Sequence, residues 1–337
     1  MKKRIFYESL PYYFASLALH LIGIALLAIT ALHNASFWGL GLLAYTLGLR
    51  HAFDADHIAA IDNTVRKLIQ EKQKSVGVGF FFSLGHSTVV FLMALIVGLS
   101  VKFAKLKLPI LQAIGGKIGS LVSGLFLLII AVSNFLILFS LFSQLKDVRK
   151  GYIDEDKLND LLTSRGFLSK LLGPLFKIVK HSWQMYPVGF LFGLGFDTAT
   201  EIALIALSAG TASANASIWG IMSLPVLFAA GMNLMDTTDS VMMSGAYAWA
   251  FDTPIRKIYY NVIVTSVSVI AAFVIGSIEL LQVISSGFSV RGKFWEWVQN
   301  IDFNWLGYGL ILIFLIMWLI AYLGWRMIGK KREKAKL

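Results

Sequence analysis

Cysteine is absent from the chain, and charged residues make up only 15% of its 337 residues. The absence of cysteine excludes disulfide bonds, thiolate metal ligands and a cysteine nucleophile. The small charged fraction, together with 57% hydrophobic residues, is not that of an ordinary soluble domain. Two patterns are also missing: the phosphate-binding loop G-x-x-x-x-G-K-[ST] of ATP-driven proteins and the H-E-x-x-H helix of zinc proteases.

Long apolar segments are what the sequence has instead, and its mean hydropathy is +0.72. Eight segments exceed the ~20 residues with which a helix crosses the hydrocarbon core of a bilayer. We therefore predict an all-α, polytopic membrane protein with eight transmembrane helices, built as one integral membrane domain over residues 1–337. The predicted spans cover roughly residues 12–32, 37–65, 78–101, 118–143, 186–211, 217–248, 258–284 and 305–328.

Basic residues set the expected orientation of these spans. With the N-terminus in the cytoplasm, 23 of the 30 Lys and Arg residues fall on the cytoplasmic side and six on the outer side. Cytoplasmic segments carry such an excess, so both termini are predicted to be cytoplasmic. The largest extramembrane segment is then a cytoplasmic loop of about residues 146–182 between spans four and five. Because topology accounts for the net charge of +11, that charge does not indicate nucleic-acid binding.

Seven carboxylates and three histidines lie inside spans two, three, five and six, where charge is costly. A carboxylate at the bilayer centre costs about 2.5–3.5 kcal/mol, so seven unpaired ones would cost on the order of 20 kcal/mol. Arg50 can compensate only one of them, and a bound divalent cation or a water-filled cavity is needed for the rest. The groups are Arg50, His51, Asp54, Asp56, His57 and Asp62 in span two, His86 in span three, Asp197 and Glu201 in span five, and Asp236 and Asp239 in span six.

The spacing in span two places most of its polar groups together if the helix is continuous. At about 100° per residue, His51, Asp54 and His57 share one face. Arg50 falls on that face as well. Asp56 falls on the opposite face, so either it bonds to a neighbouring helix or the helix is distorted at this point.

Spans five and six each carry two carboxylates at helical spacing. Asp197 and Glu201 are four residues apart, and Asp236 and Asp239 are three apart, so each pair lies on one helix face. Imidazole nitrogen and carboxylate oxygen without thiolate form a mixed donor set. Such a set fits a borderline divalent transition metal such as Ni²⁺ or Co²⁺ better than Cu⁺, Mg²⁺ or Ca²⁺.

Less specific interpretations exist for each of these groups. The polar residues of span two could form a structural ion-pair network, and His86 alone could be a hydrogen-bonded packing residue. Asp197 and Glu201 could relay protons instead of binding metal. Asn134, a lone amide in span four, either forms an interhelical hydrogen bond or faces the ion pathway.

A faint internal repeat links a segment of span two with a segment of span five. FDADHIAAI in span two resembles FDTATEIALI in span five if one inserted residue is allowed. Span five comes three spans after span two, so the two segments would run in opposite directions, as in transporters with inverted repeats. Convergence on similar ligands explains the match nearly as well.

Four motifs resemble those of a known family. HAFDADH, FSLGHSTVV, LGFDTATEI and GMNLMDTTD occur in order in spans two, three, five and six. They look like the four signatures of the NiCoT nickel/cobalt transporters, and the chain is particularly similar to the bacterial nickel permeases of that family. The resemblance covers essentially the whole chain. Two departures, Thr88 for a frequent serine and Ser240 for a frequent glycine, remove no candidate ligand.

The resemblance implies a secondary transporter that imports Ni²⁺, and sometimes Co²⁺, across the cytoplasmic membrane with no cofactor and no enzymatic activity. Its partners would be the metal ion and the lipid bilayer, with no nucleic acid and no obligate protein partner. The alternatives are an efflux carrier of the same fold and an intramembrane metalloenzyme. The implied metal-binding residues are His51, Asp54, Asp56, His57, His86, Asp197, Glu201, Asp236 and Asp239, with Asn134 at a position where the family's nickel permeases carry a functional asparagine.

Overall fold

The structure, a computed structural model, is helical in every element that it describes. The described residues are 2–99, 101–149, 179–195, 199–213, 217–250, 254–288, 290, 292–303, 305–316 and 319. This agrees with the predicted all-α class. In chain order the helices are α1 (Lys2–Ala31), α2 (Ser36–His51), α3 (Ala55–Gln70), α4 (Val78–Leu99), α5 (Val101–Arg149), α6 (Met185–Gly193), α7 (Ala199–Ser213), α8 (Ile218–Ala250), α9 (Pro254–Phe288), α10 (Lys293–Gln299) and α11 (Trp305–Ile316).

Five helices within the described part of the chain are long and apolar enough to cross a membrane. They lie in α1, α4, α5, α8 and α9, which correspond to predicted spans one, three, four, six and seven. Predicted spans two and five are each divided into two shorter helices. The eighth predicted span is described over Trp305–Ile316 as a shorter apolar helix. The chain is therefore a polytopic helical membrane protein.

Helix α5 corrects the predicted boundary of span four. We expected an outer loop with several lysines before residue 118, but α5 is helical from Val101 to Arg149. Lysine is a good helix former, so charge in this segment does not end the helix. The predicted cytoplasmic loop starts within α5, and most of it, residues 150–178, lies outside the described residues.

Span two is broken between His51 and Ala55, although the segment contains neither glycine nor proline. Asp54 is the N-cap of α3: its backbone is extended, with φ −67° and ψ 144°, and its carboxylate accepts a hydrogen bond from the Ala55 amide. An aspartate in this role stabilises a new helix start. Gly307 of α11 lies directly against the break, because a Cβ there would be 1.8 Å from the Phe53 carbonyl oxygen.

Glycine contacts bring α4 close to the neighbouring helices. A Cβ on Gly85 would lie 2.0 Å from the Tyr186 carbonyl oxygen, and one on Gly189 would lie 1.9 Å from that of Phe82. A Cβ on Gly79 would similarly be 1.8 Å from the Asp236 carbonyl oxygen of α8. Small residues permit this backbone approach in membrane helices. The result is that α4 is held between α6 and α8, with His86 in its middle.

Candidate metal centre

Three histidines from three helices meet in the protein interior. His51 ends α2, His57 lies in the first turn of α3, and His86 comes from α4. One ring nitrogen of each lies within 4.8 Å of the others, and the three residues are 1%, 0% and 3% exposed. The break in span two makes this possible, because it places the end of one helix and the start of the next at the same point.

His51 and His86 are the closest pair, with 3.0 Å between their Nε2 atoms. Two imidazole nitrogens bound at right angles to a metal at ~2.1 Å would be about 3.0 Å apart. Nε2 of His86 is also 2.8 Å from Oε1 of Glu201, which lies in the first turn of α7. A carboxylate at this distance can share a cation with the two rings or hold one ring in place.

His57 is oriented by a carboxylate of another helix. Its Nδ1 donates to Oδ2 of Asp236 in α8 at 3.2 Å. Its Nε2 is buried and has no hydrogen-bond partner among the described residues. Nδ1 then carries the proton and Nε2 keeps a free lone pair, which is the arrangement of a metal-binding imidazole with a supporting carboxylate.

The remaining predicted carboxylates differ in their surroundings. Asp54 is 2% exposed and caps α3, so it belongs to the break itself. Asp56 is half-buried, and its Oδ1 accepts the His57 backbone N–H at 2.8 Å. Asp239 is half-buried, and its Oδ2 is buried with no hydrogen-bond partner in the described structure. Asp197 lies outside the described residues.

The expected role of Arg50 is wrong. We predicted that it shares a face with the metal-binding groups and compensates one carboxylate, but it is exposed. The single-face argument assumed a continuous helix, and the break at Ala52–Asp54 invalidates it. Among the arginines whose burial the structure describes, Arg66 is the buried one, at 0% exposed. The count of basic residues above includes Arg66, Lys67, Lys72 and Lys74 on the cytoplasmic side.

A second polar cluster, which we call the Asp62 network, lies farther along α3. Asp62 accepts hydrogen bonds from Tyr247 and Ser268, and Asn134 donates to Asn63 at 2.8 Å. Asn134 thus forms the interhelical hydrogen bond considered above, and no described contact joins it to the histidines. The i, i+4 spacing of Asp62 and Arg66 was a visible signal that we did not use. The network consists of Asp62, Asn63, Arg66, Asn134, Tyr247 and Ser268, all buried.

The chain is similar to known transport proteins. Residues 37–324 match the family described as high-affinity nickel-transport protein. The nickel transporter NixA of Staphylococcus aureus is 55% identical over 317 residues, 94% of each chain. The high-affinity nickel-transport protein NixA of Helicobacter pylori is 49% identical over 332 residues, 96% of this chain and 98% of the relative.

A cobalt transporter is also similar. The cobalt transport protein NhlF of Rhodococcus rhodochrous is 39% identical over 317 residues, which are 92% of this chain and 90% of the relative. No solved structure matches the chain. The helices, the buried histidines and the matched family lead to one conclusion: the chain is a multi-pass protein of the cell membrane and belongs to the high-affinity nickel-transport protein family.

Proposed function

We propose that this protein is a secondary transporter that imports Ni²⁺ into the cytoplasm, with Co²⁺ as an alternative substrate. The observation that carries the proposal is the cluster of His51, His57 and His86, buried where a membrane helix is broken. The family supports the substrate, and its members include relatives named for nickel and one named for cobalt. The family is one of transporters, so the function needs no catalytic residue and no resident cofactor.

The proposed site holds the ion with neutral imidazoles and nearby carboxylates. His51, His57 and His86 replace water ligands of the ion, and Glu201 and Asp236 offset its charge. Asp54, Asp56, Asp239 and Asp197 complete the proposed set by family resemblance. The C-terminal end of α2, where His51 lies, is the partially negative end of a helix dipole, which also favours a cation.

The proposed topology has eight spans in one domain, with both termini in the cytoplasm. The five long helices, the divided spans two and five, and α11 together support this number. Lys74, in the segment after α3, is 3.8 Å from Glu8 in the first turns of α1, so both lie at one end of the molecule. That agrees with the excess of basic residues on the same side.

Entry is proposed at the opposite end, where α1 ends. A cavity of about 760 Å³ lies there, lined by Thr30, His33, Asn34 and Leu40 among others. A buried apolar cluster that includes Ala52 and Leu204 packs against Leu40 and Leu207 of the cavity lining, and we propose that it forms a barrier between the cavity and the histidines. The ion therefore has to pass an apolar barrier that opens and closes, as expected for a carrier with a central site.

The membrane potential is a sufficient driving force. Moving one charge through 100 mV yields about 2.3 kcal/mol, and a divalent ion gains ~4.6 kcal/mol. At ~1.4 kcal/mol per tenfold change this supports about 2,000-fold accumulation. Uptake on this account therefore requires no ATP.

Uptake of ⁶³Ni by proteoliposomes with an imposed inside-negative potential tests the proposal. We expect accumulation by the wild type, loss of it in His57→Ala, and wild-type rates in His181→Ala, an exposed histidine. Competition with unlabelled Co²⁺ should reduce the uptake. Equal accumulation by wild type and His57→Ala, or none by either, would overturn the proposal.

A further inference from the structure

Two helices of the metal site begin at the outer cavity, the 760 Å³ space at the end of α1. In α2, Leu40 lines the cavity and His51 ends the helix beside the other two histidines. α8 begins directly after Ser217 of the cavity lining and carries Asp236, which accepts from the ring of His57. α2 and α8 therefore connect the cavity with the histidines.

α7 forms a third connection, along one of its faces. Glu201 is 2.8 Å from the ring of His86, and Leu204, Ser208 and Thr211 follow at spacings of three, four and three residues, so the four share a face. Thr211 lines the cavity, about 15 Å from Glu201 along the helix axis. All four are buried. The face leads from the cavity to the site, and Leu204 is the apolar residue on it.

The hydroxyl of Ser208 marks the cavity side of this apolar position. Its Oγ is buried and has no hydrogen-bond partner among the described residues, and the residue is 0% exposed. Such unsatisfied buried groups are rare in folded proteins, and they are places where water is taken up when space opens. Since Ser208 lies between Thr211 and Leu204 on the helix, the route has a polar position directly outside its apolar part.

The apolar part of the route is one packed cluster. Leu204 and Phe228 of α8 belong to it together with Ala44 of α2, and all three are 0% exposed. The ring of Phe228 lies against His51, with 5.6 Å between the two ring centroids, while Leu40 of the cavity lining packs against the same cluster. The cluster thus contacts the site on one side and the cavity lining on the other.

The backbones of α2 and α8 are in direct contact at this level. A Cβ on Gly48 would lie 2.0 Å from the Phe228 carbonyl oxygen, and one on Gly231 would lie 2.6 Å from that of Tyr45. In α7, by contrast, a Cβ on Gly210 would meet nothing within 4 Å. α2 and α8 therefore act as one wall, and the route opens by a shift of α7 against them or of the side chains between them.

We infer that Leu204 and Phe228 form the outer gate of the metal site and that the gate is closed in this conformation. The inference rests on the proposed function, because it assigns the entry step to named side chains. Packed apolar side chains exclude the water that a hydrated divalent ion carries, so the ion passes only when Leu204 and Phe228 separate. Both are positioning residues that control access to the histidines, and neither binds the metal.

Thiol labelling tests the closure, since the chain has no natural cysteine. Ala52→Cys places a thiol next to His51, at a position that is 6% exposed, and Thr211→Cys places one in the cavity lining. A membrane-impermeant thiol reagent added to intact cells should label Thr211→Cys rapidly and Ala52→Cys slowly. In combination with Phe228→Ala, Ala52→Cys should react about tenfold faster or more, whereas Phe228→Leu keeps the apolar closure and should retain the slow rate.

Two controls separate an open gate from a loosened protein. Ala60→Cys, at a position in α3 that is 0% exposed, should stay unreactive when Phe228→Ala is added. Phe273→Ala removes an exposed phenylalanine of α9 and should leave the labelling of Ala52→Cys unchanged. Leu204→Ser, which hydrates the other half of the gate, should accelerate labelling as well and serves if Phe228→Ala does not fold.

Nickel binding provides a second readout, because a gate changes rates and leaves equilibrium affinity intact. In Phe228→Ala and Leu204→Ser, nickel affinity measured by titration calorimetry should stay within about twofold of wild type. Release of bound ⁶³Ni from the purified protein to excess chelator should be about fivefold faster or more. A residue that binds the metal would instead change the affinity.

The outcomes separate the gate from the transport proposal. Slow labelling of Ala52→Cys in both gate variants, an equal increase at Ala60→Cys, or slow labelling of Thr211→Cys would overturn the gate, as would a loss of nickel affinity. A wild-type protein that accumulates no ⁶³Ni would instead overturn the proposed function, and the labelling rates would still report whether Leu204 and Phe228 close the cavity from the histidines.

Discussion

At the scale of single residues, the candidate site depends on how the His57 ring is held. Asp236 accepts from Nδ1 at 3.2 Å, which leaves the buried Nε2 as the nitrogen with a free lone pair. Removing this acceptor in Asp236→Ala should weaken nickel affinity by about 10–100-fold, because the ring loses its orientation. Asp236→Asn keeps an acceptor oxygen and should lose clearly less affinity. Titration calorimetry with Ni²⁺ measures both.

The control for this pair is Asp302→Asn, which neutralises an exposed aspartate and should bind nickel as the wild type does. If Asp236→Asn proves as weak as Asp236→Ala, the carboxylate contacts the metal directly and its role as a support for His57 is wrong.

The proposed function gives Asp54 a role at the metal site beside its role as a helix cap, and the two can be separated by substitution. As the N-cap of α3 it stabilises the helix start, and loss of such a cap costs about 1 kcal/mol. Asp54→Asn preserves the cap but removes the charge, so we expect unchanged thermal stability and strongly reduced nickel uptake. Asp54→Ala should lower both. Full uptake in Asp54→Asn would show that the carboxylate serves the fold alone.

At the scale of secondary-structure elements, the break in span two is maintained by its contact with α11. A Cβ on Gly307 would be 1.8 Å from the Phe53 carbonyl oxygen, and neither backbone can withdraw without moving a helix. Gly307→Ala should therefore lower thermal stability and nickel uptake together. Gly309→Ala is the matched control on the same helix, because a Cβ there meets nothing within 4 Å. Equal behaviour of the two variants would contradict a structural role for this contact.

The break also marks the limit of what the sequence predicts about the site. The residue types were sufficient to predict His51, His57 and His86 as candidate metal ligands, because ionisable groups in an apolar span indicate a function, and the structure brings the three rings together. Helical periodicity then placed Arg50 among them, since the segment has no glycine or proline to end a helix. The signal for the break was Asp54, a residue type that caps helices, ahead of good helix formers. A capping residue within a long apolar span does not by itself distinguish a break from a continuous helix.

The burial of Arg66 shows that an orientation rule based on charge does not predict which basic residues are buried. A cluster of basic residues near a span end indicates a cytoplasmic boundary, and Lys72 and Lys74 are indeed exposed. Arg66 and Lys67 belong to the same cluster by sequence but are buried, because Asp62, Asn63 and the Val179 carbonyl oxygen provide partners. The partners of Arg66 are local, but the Val179 carbonyl oxygen that accepts from Lys67 comes from tertiary packing, which the local sequence does not specify.

At the scale of the whole molecule, the two broken spans correspond to the two halves of the faint repeat. α3 begins after FD in FDADH, and α7 begins at Ala199, shortly after FD in FDTATE. His57 and Glu201 thus lie in the first turns of α3 and α7, and His86 of α4 lies between them. A carrier built from related halves around a central site can expose that site alternately to each side.

Alternating exposure has a measurable consequence for the direction of transport. An inside-negative potential should drive Ni²⁺ into proteoliposomes, and collapsing the potential with an ionophore should stop accumulation, because a net charge crosses the membrane in each cycle. Initial ⁶³Ni rates at several imposed potentials measure this. Rates that do not depend on the potential would show that the transported charge is balanced by a counter-ion.

The central claim is that imidazoles from three separate helix segments bind the transported metal together. X-ray absorption spectroscopy at the nickel edge of the nickel-loaded protein tests it directly. We predict about three imidazole nitrogens and additional oxygen ligands, with Ni–N distances of ~2.0–2.1 Å, and one imidazole fewer in His57→Ala. A spectrum with oxygen ligands alone, or one that His57→Ala leaves unchanged, would contradict the account.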